Sequence, residues 1–238
     1  MFFDQQDYRI RCEWGLNGIE ALKPHSEVIV IVDVLSFSTC VEIATHAGAE
    51  ILPYRFRDDS VIDFGASKNA LVAQRNRSRD TYSLSPQSLT KIPRGTRLVL
   101  PSPNGSTLTL AAAGKVVMAG CLRNAKAVAD YASQFESIAV IPCGERWEDG
   151  SIRFALEDLL GAGAIIRELA GTKSPEALAA EATFNNFQDD LERTILDCAS
   201  GRELVERGYE KDVWIACALN VSGTVPVLEG DAYRGVAQ

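Results

Sequence analysis

With 238 residues, 46% hydrophobic and 24% charged, the chain has enough apolar material for one sizeable core and reads as soluble globular protein rather than a disordered or fibrous one. Its net charge of −8 includes no basic stripe, which argues against a nucleic-acid partner, and no apolar run approaches the ~20 residues a membrane helix needs. The start, MFFDQQDYRIRCEW, has no charged segment followed by an apolar one, so the expected location is the cytoplasm. Six cysteines without paired spacing suit reduced, buried thiols better than disulfides or zinc. If the ligand is an anion, a bound cation or converging arginines must override the acidic field.

In chain order, Tyr8 to Trp14 alternates loosely and reads as a first strand, and Pro24 resets the chain. Val28 to Val32 then holds no polar residue, the pattern of a strand buried on both faces of a parallel sheet. Asp33 sits at its carboxyl end, where open α/β sheets bind ligands, and Ser36, Ser38 and Thr39 lead into a helix expected over Cys40 to Gly48. The plainer alternative is that Asp33 and Ser36 only cap that helix. AEILPYRF reads as a second strand, with Pro53 suggesting an edge or a bulge. Residues 57–95 are hardest to read: a short helix is expected over Lys68 to Arg75, then a polar loop over Arg75 to Arg79. Nothing there justifies a cut, so the whole of 1–238 is expected to form one domain.

From Thr96 one theme repeats: apolar strand, polar loop, helix. Thr96 to Leu100 ends in PSPNGST, Val116 to Ala119 in GCLRN before AKAVADYASQF, and Ile138 to Ile141 in PCGERWEDG. Such alternation indicates βαβ units, hence an α/β fold with a mainly parallel sheet, these runs as neighbouring strands and helices on both faces. It gathers Asp33, Ser102, Asn104, Ser106, Arg123, Asn124 and Glu145 on one rim. The Asn-Gly pair is either a plain tight turn or a nest of amides facing an oxyanion. Asn124 sits where a helix cap belongs, while Arg123 offers a fork matched to phosphate or sulfonate oxygens.

FALEDLLGAGAIIREL, from Phe154, is apolar nearly all round and therefore a buried helix. Glu157 and Asp158 lie in its first turns, where acids complement the helix dipole. Two adjacent acids in a buried helix are costly without compensation, however, and a divalent cation supplies it. SPEALAAEATF and QDDLERTILDCASGRELVERG follow as amphipathic helices, the second broken near Ser200, Gly201 and Gly208. DVWIACALN reads as a last strand-like run, and GTVPVLEGDAYRGV carries no motif. With only His25 and His46, neither in a motif, triad chemistry is a poor candidate. No GxxxxGK[ST] loop occurs, and Leu35 stands where a haloacid-dehalogenase-type phosphatase needs a second Asp.

Taken together, VDVLSFST, LPSPNGST, CLRNAKAVA, FALEDLLGAGAII and SGRELVERGYEKDV with the later VP, in this order, resemble the 2-phosphosulfolactate phosphatase family, the magnesium-dependent acid phosphatases of coenzyme M biosynthesis. The resemblance implies a three-layer α/β/α fold with a mainly parallel or mixed sheet. It also implies hydrolysis of 2-phosphosulfolactate to sulfolactate and phosphate. Asp33 and Glu157 are then the catalytic acids, Asp33, Glu157 and Asp158 the ligands of Mg2+, and Ser36, Ser38, Ser102, Asn104, Gly105, Ser106, Arg123 and Asn124 the substrate-binding set. The expected partner is a small phosphorylated anion, and homodimerisation is allowed for. The chain departs from the family at Ser36 and Phe37, where an Arg and a small residue are common, and at Asn220, where Asp is frequent. Losing that Arg removes a cation from the anion site. Another small phosphorylated hydroxy acid is therefore the alternative substrate, and a non-catalytic anion binder the third reading.

Overall fold

The first half of the chain runs β1 (Ile10–Cys12), α1 (Gly15–Leu22), β2 (Val28–Val32), α2 (Phe37–His46), β3 (Glu50–Tyr54), α3 (Ser60–Ser67), β4 (Leu71–Val72), α4 (Pro86–Leu89), β5 (Arg97–Pro101) and α5 (Gly105–Ala112). It continues with β6 (Val116–Gly120), α6 (Ala125–Ala132), β7 (Ile138–Pro142) and a short β8 (Glu145–Arg146) and β9 (Ile152–Arg153) ribbon. Helices α7 (Leu156–Glu168), α8 (Pro175–Phe187), α9 (Leu191–Asp197), α10 (Ala199–Glu206) and α11 (Glu210–Cys217) precede a closing hairpin, β10 (Thr224–Glu229) and β11 (Ala232–Ala237). This is a computed structural model, and it describes residues 2–56, 58–78 and 80–237. Among them no helix is long and apolar enough to cross a membrane.

Nine strands form one sheet in the order β1-β7-β2-β6-β10-β11-β3-β5-β4. Two parallel arms, β1-β7-β2-β6 and β3-β5-β4, flank the antiparallel hairpin, which pairs antiparallel with β6 on one side and β3 on the other. The result is a mixed, mostly parallel sheet between helices, a three-layer α/β/α fold. β2 shows why its residues chose this place. Val28, Val30 and Val32 enter a core with α6, α7 and α8, while Ile29 and Ile31 enter a second core with α2, α5 and both arms. A strand apolar at every position has two buried faces to fill, and here both are filled. Where α7 crosses α8, a Cβ on Gly163 would stand 2.2 Å from the Ala180 carbonyl oxygen, so glycine sets how closely the two helices approach.

Four expectations change. The run from Thr96 is a strand, as read, but β10, β11 and β3 separate it from β6, and counted through the ladders its arm runs opposite to β2. Its carboxyl end still reaches that of β2, because Leu98 and Leu100 share a core with Ile29 and Ile31 and the sheet curls around it. A twist of roughly 20–25° per step, accumulated from β2 through β6, β10, β11 and β3 to β5, turns the far arm by more than a right angle. DVWIACALN forms α11 rather than a strand, since Val213, Ala216 and Cys217 recur at helical spacing and bury one face while Trp214 stays exposed. The helix expected over Lys68 to Arg75 lies earlier, at α3, and Leu71–Val72 joins the sheet edge. The motif-free GTVPVLEGDAYRGV supplies the hairpin, turned at Gly230 with φ +65°. Pro53 is not on an edge strand; β11 pairs with β3 only at Ile51, so no ladder bond is lost at the proline.

Candidate active site

The site begins where β2 ends. Asp33 donates its backbone N–H to Ser38 Oγ (3.0 Å), and Ser38 donates to the Ile31 carbonyl (2.9 Å), which ties strand to helix. The Asp33 carboxylate accepts the Phe37 N–H at Oδ1 (3.0 Å) and the Gly105 N–H at Oδ2 (3.1 Å). Asp33 therefore serves the first turn of α2 and also joins it to the SPNG loop after β5. Only glycine permits that junction: a Cβ on Gly105 would lie 2.2 Å from the Phe37 ring. Ser102 Oγ accepts the same Gly105 N–H (3.1 Å). Asn104 donates to Glu145 Oε2 (3.0 Å) and accepts from Arg146 Nε (3.2 Å), coupling the loop to the β8–β9 ribbon.

Behind Asp33 stand the acids of α7. Asp158 accepts the Val34 N–H at 2.7 Å and the Gly144 N–H at 2.9 Å, stitching together the loops after β2 and β7. Glu157, only 2% exposed, receives the Cys198 thiol at 3.3 Å. Burial, reinforced by the Asp33 and Glu157 charges, pushes Glu145 up to about 7. Burial and the Asp33 and Glu157 charges likewise hold Asp158 well above the usual carboxylate range. The charges of Asp33 and Glu157 thus oppose ionisation of Glu145 and Asp158. Hard carboxylate oxygens, here those of Asp33 and Glu145 at the cavity, suit a cation such as Mg2+. Among the described residues no three acids, histidines or cysteines converge as a ready cage. Mg2+ is commonly held by one or two carboxylates completed by waters and substrate phosphate, so Asp33 and Glu145, which both line the cavity, are a sufficient set. Asp158 does not line the cavity; its oxygens accept amides from the loops after β2 and β7 and hold those loops in place.

A cavity of about 370 Å³ is lined by Asp33, Ser36, Ser102, Asn104 and Glu145 and also by Arg75, Arg77 and Arg207, the last beside Glu203. Of the residues expected to bind substrate, Ser38 and Ser106 are fully buried and do not line it; Ser106 donates to the Leu100 carbonyl (3.0 Å). Arg123 and Asn124 lie outside it. Asn124 caps its own turn through the Cys121 N–H (2.9 Å). Arg123 donates to Glu42 Oε2 at 2.5 Å and to the Ile215 carbonyl at 3.1 Å. Glu42 is fully buried on α2, and a desolvated carboxylate captures the nearest guanidinium because leaving it unpaired is costly. The three cavity arginines escaped the sequence reading, although an Arg-rich loop in so acidic a chain was the signal that could have found Arg75 and Arg77, and Arg207 stands in the SGRELVERG run.

An acid-lined cavity at strand carboxyl ends, walled by arginines, is an enzyme site built for a small anion. Residues 18–231 match the 2-phosphosulpholactate phosphatase family, and the chain belongs to that family, whose chemistry is phosphoric monoester hydrolysis. It is 29% identical to a probable 2-phosphosulfolactate phosphatase of Thermosynechococcus vestitus, over 83% of this chain and 87% of the relative. Identity is also 29% to a probable 2-phosphosulfolactate phosphatase of Carboxydothermus hydrogenoformans, over 88% of each. The 2-phosphosulfolactate phosphatase of Methanocaldococcus jannaschii is 28% identical over 73% of this chain and 70% of its own length.

Proposed function

We propose that the protein hydrolyses 2-phosphosulfolactate to sulfolactate and phosphate, using Mg2+ held by Asp33 and Glu145 with Glu157 behind them, and so serves coenzyme M biosynthesis in the cytoplasm. The observation that carries this reading is that one small cavity brings the carboxylates Asp33 and Glu145 together with three arginines. Phosphate monoesters hydrolyse extremely slowly unaided, so charge neutralisation and a positioned attacking oxygen must both be supplied. When bound, the ion neutralises phosphoryl oxygens and orients the attacking group. The chain's part is preorganisation. Phe37 and Gly105 amides fix the Asp33 carboxylate, Asn104 fixes Glu145, and Asp158 holds the intervening loops in register. One water is consumed overall: as the new P–O bond forms, the ester P–O bond breaks and its electron pair leaves on the sulfolactate oxygen, which takes up the proton that the water gives up.

Ser36 favours a second reading, the same hydrolysis on another small phosphorylated hydroxy acid, because a short hydroxyl at this wall leaves substrate choice to residues from other loops. The deciding experiment compares 2-phosphosulfolactate, phospholactate and phosphoglycerate, with p-nitrophenyl phosphate as a generic ester, in Mg2+ and in chelator. The expected result is Mg2+-dependent release of phosphate, fastest from 2-phosphosulfolactate. Preference for another acid selects the second reading, and no hydrolysis of any ester removes both.

A further inference from the structure

One side chain in the cavity wall is held far more firmly than its neighbours. Arg75 is exposed, and Arg207 reaches Glu203 on its own helix with both side chains more than half exposed. Arg77 is only 10% exposed in its side chain and is clamped from three directions. Its Nη1 donates to Asp212 Oδ2 at 2.7 Å, its Nη2 donates to Ser36 Oγ at 3.1 Å, and its guanidinium carbon lies 5.6 Å from the centre of the Tyr209 ring. The Tyr209 hydroxyl donates in turn to the Arg77 carbonyl at 2.5 Å. Asp212, 1% exposed, is itself held by the Ser85 hydroxyl (2.8 Å) and the Gln87 N–H (2.9 Å).

We propose that Arg77 is the specificity-determining residue that binds the second acidic group of the substrate, the sulfonate or carboxylate beside the phosphate ester, and that Asp212 is the positioning residue that fixes it there. A guanidinium has five N–H donors, and the clamp engages two, so three remain for a ligand in the cavity. Because Asp212 balances its charge as Glu203 balances that of Arg207, Arg77 selects by directed donors, and the net positive charge among the cavity arginines comes from Arg75. A planar fork held in advance loses little rotamer freedom on binding, which the two looser arginines cannot match. Asp33 fixes where the ester must react, so the fixed guanidinium on the same cavity falls to the other end of a short diacid.

The inference rests on the phosphatase reading, and its test separates the two. Steady-state kinetics are measured for wild type, Arg77→Gln, Arg77→Lys and Asp212→Asn with 2-phosphosulfolactate and with p-nitrophenyl phosphate, which has no second acid; binding of sulfolactate is measured by calorimetry. Arg77→Gln is expected to lower kcat/KM for the diacid by roughly 30- to 100-fold, the scale of losing charge-assisted hydrogen bonds, and to lower the ratio of the two kcat/KM values at least about tenfold. Asp212→Asn should raise KM for the diacid with a smaller change in kcat. Arg77→Lys retains the charge and the buried pair but loses the fork, so it should also lose the ratio. Equal losses on both substrates would place the phosphoryl group at Arg77 and overturn the assignment, as would full selectivity in Arg77→Lys. A change in melting temperature alone in Asp212→Asn would overturn its positioning role. Should wild type hydrolyse neither ester, sulfolactate binding that is lost in Arg77→Gln upholds the site while the activity fails, and binding equal in both proteins sinks the inference.

Discussion

At Asp33 the carboxylate has a structural task at the cavity it lines. One oxygen serves the helix that follows and the other receives the SPNG loop, so the acid is oriented by the structure it stabilises. Asp33→Asn keeps the shape but replaces one acceptor oxygen with a donor and removes the charge. Turnover should fall at least about 100-fold, the loss usual for a positioned charged group, and oxygen-18 incorporation into Asp33 in a single turnover would distinguish attack by the carboxylate from ligation of the ion. Glu145 makes a different prediction. Its ordinary value is 4.5 and burial with the facing acids raises it to about 7, so between those values the folded protein holds a proton that the unfolded chain has released. Stability must then fall as pH rises from about 4.5 to about 7 and level off above, the sign set by the greater proton uptake of the folded state. Asp158 pushes in the same direction. A cation competes with that proton, so Mg2+ should raise the melting temperature more at pH 7.5 than at pH 5, and Glu145→Gln should flatten both dependences. Equal stabilisation at the two pH values would take Glu145 out of the ion site.

At the scale of elements, the junction between α2 and the SPNG loop is tight because it lacks one methyl group. Gly105→Ala would place a carbon 2.2 Å from the Phe37 ring, so the loop must retreat and release Asp33. Overpacking of this kind costs about 1–3 kcal/mol, read by chemical denaturation, and the activity loss should exceed what that destabilisation explains. Such local features were legible: a strand without polar residues, the acid that ends it, a loop whose Asn-Gly must turn. Arg77 was not, because its loop has no periodicity and its partner Asp212 is 135 residues away. Arg123 was misplaced for a related reason. Its motif announces a guanidinium, yet Glu42, 81 residues distant and buried, decides which way it faces. Strands and turns are written in neighbouring residues, whereas the pairing of charges depends on which elements the fold brings together.

For the whole molecule the decisive element is the one with no motif. The β10–β11 hairpin lies between the two parallel arms and pairs with both, so the cavity depends on it without touching it. Tyr233, fully buried, packs against Phe37 at 6.2 Å between ring centres and shares a hydrogen bond with Thr109 (2.8 Å), linking the hairpin to both helices that flank the site. Removing residues 222–238 should leave two half-sheets with open edges at β6 and β3. Loss of cooperative thermal unfolding and rapid proteolysis are expected; a truncated chain that melts as sharply as the full one would refute the hairpin's role.

The same hairpin imposes an order on synthesis. Every other strand of the sheet has left the ribosome before residues 224–237 are made. Until then the nascent chain carries two facing rows of unpaired backbone groups, at β6 and β3, of the kind that recruits foreign strands. Closing them requires contacts between distant parts of the sequence, which form slowly. The cell that makes this protein therefore has a window, ending only when the hairpin slots in, during which chaperones rather than the fold itself keep the half-built sheet from its neighbours.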